Sequence, residues 1–488
     1  NTQRLARLLV RLNSQQIPTP GLPVSQGVSE KIDSLVIIER RADMVTPMLT
    51  QLTYEGLIDE LIGVSNTYVE LPANLVSPPA QANEGGATTN QALNTTPVQA
   101  EKKKKYQLSS STDPLFKDLR DVNFAVLGSL LSATAKRLSS DYESRHNAQT
   151  VAQLKEFVGK LGSLQSEQQA LRLHTDLAEM LMPRTRSYLF NLTLEVQQSE
   201  ILFDVSLAYS LKIPDLLASY ELNTQLAHIE DLVAEGTDRR ITLRMMVLAS
   251  IVSGGIKVKQ LESLKRVFLQ TYGYELLPTL LSLENLQLLQ SNPLPPSQAH
   301  IPSMKLPFTA LRKQLRLLIE ESEGGSDAVP NDISYVYSGY APLSVRLVQC
   351  VAQMNAVLAS FNGPDGGKGK GKAKDVAQGN EVPKMNAHPI VGWKGFEDVV
   401  NTIPGPTIDI TQTGTEHKGP GPSLFPKEQS TTTVVFFLGG CTFTEIAAIR
   451  WMAKRTKGRH FVIATTGVIS GNSLIDSLLP VTKPKIAK

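Results

Sequence analysis

The chain has 488 residues, 41% hydrophobic and 19% charged, a composition that supports a large core without disulfide or metal staples and predicts two to four domains. Its net charge is only +3, and its dense lysine runs, 102–105 and 368–374, sit among Gly, Pro, Asn and Ala, so they read as solvated loops and argue against a nucleic-acid protein. Two isolated cysteines, Cys350 and Cys441, the absence of Cys/His zinc spacing and of any apolar run near 18 residues exclude a disulfide scaffold, a zinc module and a transmembrane helix.

In chain order, residues 1–12 pattern as an amphipathic helix, with Leu5, Leu8, Leu9 and Leu12 on one face. A Pro-, Gly- and Ser-rich loop follows at 17–30. Leu35-Val36-Ile37-Ile38 is a short apolar run bounded by Glu39-Arg40-Arg41, which predicts a buried strand of a parallel sheet. Residues 48–71 continue as a short helix and an extended piece, and the polar stretch from 73 predicts a disordered linker. From Asp113-Pro114 to about 295 the pattern is helical, opening on Asp113 as N-cap with Pro114 at the first helical position. Leu115, Leu119, Val122, Val126 and Leu130 mark one face. Leu154, Phe157, Leu161, Leu164, Gln168 and Leu171 form a coiled-coil-like seam that Gly159 and Gly162 soften.

A further helix falls within 303–360, and a second low-complexity loop at 362–389. Strand–helix–strand then returns as 433–438, a Gly439-Gly440 turn, 444–453 and 460–465. The expected fold is α/β plus all-α, a parallel-sheet α/β domain split by a large helical insertion. Its expected divisions are 1–72 (first part of the α/β domain), 73–107 (linker), 108–254 (helical, with a hairpin), 255–361 (second helical part), 362–389 (loop) and 390–488 (return to α/β). Sheets average about 5–6 strands, so three strands predict that others precede residue 1, which is Asn rather than Met.

No catalytic constellation emerges. Residues 366–373 outline a P-loop but end in Ala373, where magnesium needs Ser or Thr, and follow no strand. Gly439-Gly440-Cys441-Thr442 opens a helix, where backbone N–H groups can hold an anion and Cys441 can ionise. The favoured reading is a tight strand-to-helix turn that needs glycine. Asp43 reads as a turn cap, and Glu55, Asp59 and Glu60 as a solvated helix face, rather than as a catalytic group.

Three long strings carry a resemblance: IDSLVIIERRADMVTPMLTQLTYEGLIDELIG (32–63), DISYVYSGYAPLSVRLVQ (332–349), and TVVFFLGGCTFTEIAAIRWMAKR with HFVIATT (433–466). With SRHNAQTV (144–151) and LQTYGYELL (269–277), they resemble the SM (Sec/Munc) family over nearly the whole chain outside the low-complexity inserts. One departure is visible, since the family's first strand ends in Asp-Arg and this one in Glu39-Arg40. The resemblance implies a three-domain arch whose first domain precedes residue 1, with no enzymatic step, no cofactor and no metal.

It implies a cytoplasmic protein, peripheral on late endosome and vacuole (lysosome) membranes through its partners. It also implies binding to R- and Qa-SNAREs and a place in the HOPS and CORVET tethering complexes beside vacuolar protein sorting-associated protein 16. On the hairpin of 113–180, Arg145, His146, Gln149, Gln153 and Lys155 are the expected SNARE contacts, while Leu154, Phe157 and Leu161 hold the two helices together. The expected partner-docking residues are Lys265, Tyr274 and Leu277, with a core role for Tyr274 and Leu277 as the competing reading. An α/β nucleotide-binding enzyme with a helical lid, and a scaffold that binds no SNARE, stay open as alternatives.

Overall fold

The computed structural model describes residues 2–14, 32–76, 103–143, 151–201, 214–293, 306–319, 325–326, 329–355, 357, 385–411 and 431–480. Two compact units form: Asn1–Leu52 with Tyr188–Lys488, and Thr53–Ser187.

In the first unit, β1 (Ile32–Glu39), β2 (Thr431–Leu438) and β3 (Arg459–Thr465) form a parallel sheet with β2 at its centre. Val36 sits opposite Val435, and Val435 opposite Ile463, so runs from opposite ends of the chain share one sheet. A parallel pair needs a crossover connection. Between β1 and β2 that connection has grown to hold most of the protein. Thr433, Val435 and Phe437 turn to the packed face and are buried, whereas Leu35 and Val462 lie exposed on the other. The expected burial of β1 therefore holds for one face among the described residues.

Four helices build the core of this unit: α1 (Arg239–Val252), α2 (Val258–Tyr272), α3 (Leu343–Ala352) and α4 (Phe443–Arg455). Asp238 caps α1 by accepting from the Arg240 N–H at 2.9 Å. Every residue of α3 is buried, which suits its apolar run. The helices α1, α3 and α4 share one apolar cluster with Val435 and Phe437 of β2, and Leu261, Leu264 and Phe268 of α2 extend it. The helices Tyr188–Ile201 and Pro214–Ala234 also belong to this unit. Gln197 is buried and bonds Thr50 both ways, accepting from its N–H at 3.0 Å and donating to its hydroxyl at 2.9 Å. The helical stretch expected at 108–254 is thus shared between the two units.

The second unit opens with the helix Tyr54–Leu61 and a three-stranded antiparallel sheet, Val64–Ser65, Tyr68–Pro72 and Lys103–Gln107. This corrects the reading of Lys103, Lys104 and Lys105 as a solvated loop, and that of 73–107 as a disordered linker at both ends, since Ala73–Val76 is helical and Lys103–Gln107 a paired strand. A strand at a sheet edge needs only backbone pairing, and its lysines stay in water as that reading required. Val69 and Leu71 of the partner strand supply the burial. Two long helices follow, Phe124–Glu143 and Val151–Thr185, about 30 and about 50 Å at 1.5 Å per residue. Leu127 and Leu131 of the first share a core with Leu173, Leu177 and Leu181 of the second. Further out, Arg137 pairs with Glu167 at 2.9 Å. Leu161 is half-buried, and the side chains of Leu154 and Phe157 lie outside the described residues.

Asp113 caps its helix as the sequence predicts, accepting from the Phe116 N–H at 2.9 Å with Pro114 in the first turn. Its second oxygen meets His174 Nε2 at 3.0 Å, and His174 Nδ1 meets the Tyr54 hydroxyl at 2.9 Å. Burial pushes the Asp113 carboxyl up, but the bonds from His174 and the Phe116 N–H outweigh it and hold the group below its usual range. With Asp113 ionised, Nε2 carries a proton toward it and Nδ1 pairs with the Tyr54 hydroxyl, so both nitrogens of this fully buried imidazole are satisfied. Substitution His174→Ala strands the Tyr54 hydroxyl and the second Asp113 oxygen together. It is expected to destabilise the chain by about 2–4 kcal/mol, read by chemical denaturation; a change below about 0.5 kcal/mol would show that the imidazole merely fills space.

Candidate functional site

The three strings that carry the resemblance meet in one buried corner of the first unit. β1 ends in Glu39, and the chain turns through Arg40–Ala42 into the short helix Val45–Met48. Arg40 is buried and donates through Nη1 to both oxygens of Glu445, at 2.9 and 2.8 Å. Its Nε donates to the Asp43 carbonyl at 2.9 Å. Asp43, fully buried, accepts the Thr46 N–H at 3.0 Å, the Thr46 hydroxyl at 2.6 Å and the Ser344 N–H at 2.9 Å. Glu445 also receives the Ser344 hydroxyl and, at 2.8 Å, the Thr442 N–H in a capping box at the start of α4. The Tyr337 hydroxyl donates to the Thr46 carbonyl at 3.1 Å.

Asp43 and Glu445 are fully buried, and their oxygens are engaged in holding the corner together. Asp43 is the turn cap that its position predicted. Glu55, Asp59 and Glu60 belong to the other compact unit and are half-buried, so the solvated face expected of them is only partial.

The glycines behave as a strand-to-helix turn requires. Gly439 and Gly440 have φ of +99° and +101°. A Cβ on Gly439 would stand 2.8 Å from the Arg40 Cβ, and one on Gly440 2.7 Å from Ile469 Cγ2. The N–H groups that open α4 are taken by protein atoms: Glu445 for Thr442, Gln51 at 3.2 Å for Thr444, and the Thr442 hydroxyl at 3.1 Å for Glu445. With these N–H groups committed inside the protein, the turn is built as a cap for α4 rather than as an anion cradle. The thiolate reading of Cys441 is also corrected. Burial first, and then the neighbouring Glu445 carboxylate, push its thiol up to about 12. Burial likewise pushes Cys350 up to about 12. The P-loop-like stretch 366–373 lies outside the described residues.

Of the expected SNARE contacts, Arg145, His146 and Gln149 lie outside the described residues. Gln153 sits on the helix Val151–Thr185 with its side chain outside them, and Lys155 is exposed on the same helix. Of the expected docking residues, Tyr274 is 67% and Leu277 43% exposed, so the core alternative fails for both. Lys265 is not a free cation: it pairs with Glu284 and is partly buried. Leu281, one turn beyond Leu277 on the helix Leu277–Asn285, is 49% exposed and extends the apolar stripe. Its i+4 spacing from Leu277 was available in the sequence.

A sequence profile described as the Sec1 family matches residues 2–477. Vacuolar protein sorting-associated protein 33A of Rattus norvegicus is 33% identical over 482 residues, 98% of this chain and 66% of the relative. Vacuolar protein sorting-associated protein 33 of Schizosaccharomyces pombe is 32% identical over 464 residues, 94% of this chain and 65% of the relative. Among solved structures, one titled "SM Protein Vps45 in Complex with Qa SNARE Tlg2" matches at a TM-score of 0.53 and 16% identity, over 98% of this chain and 64% of that one, a likeness of fold. The chain thus spans just under two thirds of the length of these proteins. No helix among the described residues is long and apolar enough to cross a membrane.

The buried corner has a chemical signature. Both thiols should resist a thiol reagent at pH 8 in the folded chain and react together, two per chain, on unfolding. Rapid modification of Cys441 in the native state would contradict its placement.

Proposed function

The chain belongs to the Sec1 family, and on that premise we propose that it is a non-enzymatic SNARE-binding SM protein, acting in membrane fusion at the vacuole or lysosome. The observation that carries this reading is the pair of long helices Phe124–Glu143 and Val151–Thr185, which bury Leu127 and Leu131 of the one in the same core as Leu173, Leu177 and Leu181 of the other and leave Lys136, Arg137, Lys155 and Gln165 exposed. Such a surface suits a heptad-repeat helix, with apolar layers partly engaged and polar residues fixing register. Arg145, His146, Gln149, Gln153 and Lys155 are proposed as its polar contacts. The relatives named for vacuolar protein sorting, and the SM protein solved with a Qa-SNARE, support a Qa-SNARE as one ligand of this chain, and R-SNAREs are proposed as the other.

The second proposed contact is the exposed stripe Tyr274, Leu277 and Leu281, which is to receive vacuolar protein sorting-associated protein 16 and so place the chain in HOPS or CORVET. Lys265 serves that surface through its pair with Glu284 rather than as an open charge. The proposed division into two α/β portions, 1–72 and 390–488, and two helical portions, 108–254 and 255–361, follows the family arch. Absence of catalysis is proposed because the two carboxylates of the buried corner, Asp43 and Glu445, are consumed in structure. Localisation on late endosomal and vacuolar membranes is proposed to come through partners.

Two measurements test this. Lys155→Glu with Arg145→Glu should weaken binding to an R-SNARE motif by about tenfold or more with an unchanged melting temperature; wild-type affinity in a folded variant removes the hairpin from the account. Tyr274→Asp should abolish co-purification with protein 16 while leaving SNARE binding intact; retention of protein 16 removes the stripe.

A further inference from the structure

Five serines or threonines have an arginine three residues before them: Ser14, Ser140, Thr175, Ser187 and Thr242. Protein kinases select acceptors by such charge patterns. A kinase must also bring the acceptor hydroxyl to its catalytic aspartate, with the flanking backbone laid out in its cleft. That second demand separates the five. Ser14 ends the helix Thr2–Ser14, Ser140 lies in Phe124–Glu143, Thr175 in Val151–Thr185 and Thr242 in α1. Thr242 is fully buried. The arginines before Ser140 and Thr175 are engaged by carboxylates: Arg137 pairs with Glu167 at 2.9 Å and Asp141 at 3.4 Å, and Arg172 with Asp176 at 3.6 Å.

Ser187 is placed differently. It is exposed in the turn between the helices Val151–Thr185 and Tyr188–Ile201. Arg184 and Arg186 are exposed before it, and Tyr188 after it is 66% exposed. The turn is held at one point: the Ser187 hydroxyl and N–H both donate to the Arg184 carbonyl, at 2.8 and 3.2 Å. Arg184 Nη1 donates to the Leu61 carbonyl at 2.6 Å, an exposed bond that water can replace. The acceptor and its arginine can therefore enter a kinase cleft without stripping a core contact, and the residues on either side belong to helix ends, which fray.

We propose that Ser187 is a phosphorylation site for arginine-directed protein kinases, and that its phosphate opens the turn. In the transfer the Ser187 Oγ attacks the γ-phosphorus of ATP. An O–P bond forms as the bond from that phosphorus to the β–γ bridging oxygen breaks, ADP leaves with the electron pair, and the hydroxyl proton passes to the kinase aspartate. The product carries about −1.5 to −2 charges and offers only acceptor oxygens. It cannot donate to the Arg184 carbonyl, which repels it, while the Arg184 and Arg186 guanidinium groups are drawn to it. Arg184 then leaves the Leu61 carbonyl. The turn ends the second unit and lies about 45 Å along the helix Val151–Thr185 from Lys155, at 1.5 Å per residue. The phosphate thus acts at the root of the long helix pair and apart from its proposed contacts. The inference does not depend on what that pair binds.

The test incubates the folded full chain with magnesium ATP and cyclic-AMP-dependent protein kinase, and locates phosphate by mass spectrometry. A single phosphate at Ser187 is expected. Ser187→Ala should abolish it and Arg184→Gln should slow it by about tenfold or more, both at unchanged melting temperature. In the phosphorylated chain the amide protons of Arg186 and Ser187 should exchange with solvent about tenfold faster. Phosphate on Ser14 or Ser140 in place of Ser187, or a folded chain that takes none, would overturn the site. A rate indifferent to Arg184→Gln would overturn its assignment to arginine-directed kinases. Unchanged amide exchange in a chain phosphorylated at Ser187 would overturn the opening of the turn.

Discussion

The buried ion pair between Arg40 and Glu445 joins residues 405 positions apart and holds the base of the first unit together. Taking two such charges out of water costs several kcal/mol per ion unless geometry and further hydrogen bonds compensate. Both conditions are met here. Arg40 reaches Glu445 through a short bifurcated contact and the Asp43 carbonyl through Nε, while Glu445 also serves Thr442 and Ser344. Asp43 ties Thr46 and Ser344 to the same corner. The exit of β1, the start of α3 and the start of α4 are thereby fixed to one another by directional contacts, which apolar packing alone does not supply.

That constraint explains how one sheet tolerates so long an interruption. The entropy of closing a loop rises by only about 0.6 kcal/mol for each doubling of its length, so once β1 and β2 are clamped the connection between them can hold whole helical assemblies. One of these, Thr53–Ser187, is a compact unit with its own core and its own buried Tyr54–His174–Asp113 chain. Each insertion can then devote its outer surface to partners, because its stability does not depend on that surface.

The sheet was legible because its strands are short apolar runs bounded by charge or glycine. Asp113-Pro114 was legible because a helix start has local chemistry. Other features were not. The pairing of Arg40 with Glu445 leaves no local trace, since each charge looks solvated in its own segment. The lysines of Lys103–Gln107 hid a strand because an edge strand shows no alternation when its side chains stay in water. Helical spacing placed Tyr274 and Leu277 together but could not say which face was buried; the tertiary packing of Leu276, Leu280 and Leu283 inward decides it. Lys265 looked like an open cation because Glu284 lies too far along the chain to be read as its partner.

The central claim is that the Arg40–Glu445 contact closes the interrupted sheet, and a double-mutant cycle in denaturant tests it most directly. Arg40→Met and Glu445→Gln should each lower the unfolding free energy by about 3–5 kcal/mol, and the double variant should lose at least about 2 kcal/mol less than the two single losses combined. Additive effects, or single losses below about 1 kcal/mol, would mean that packing alone joins the two ends of the sheet.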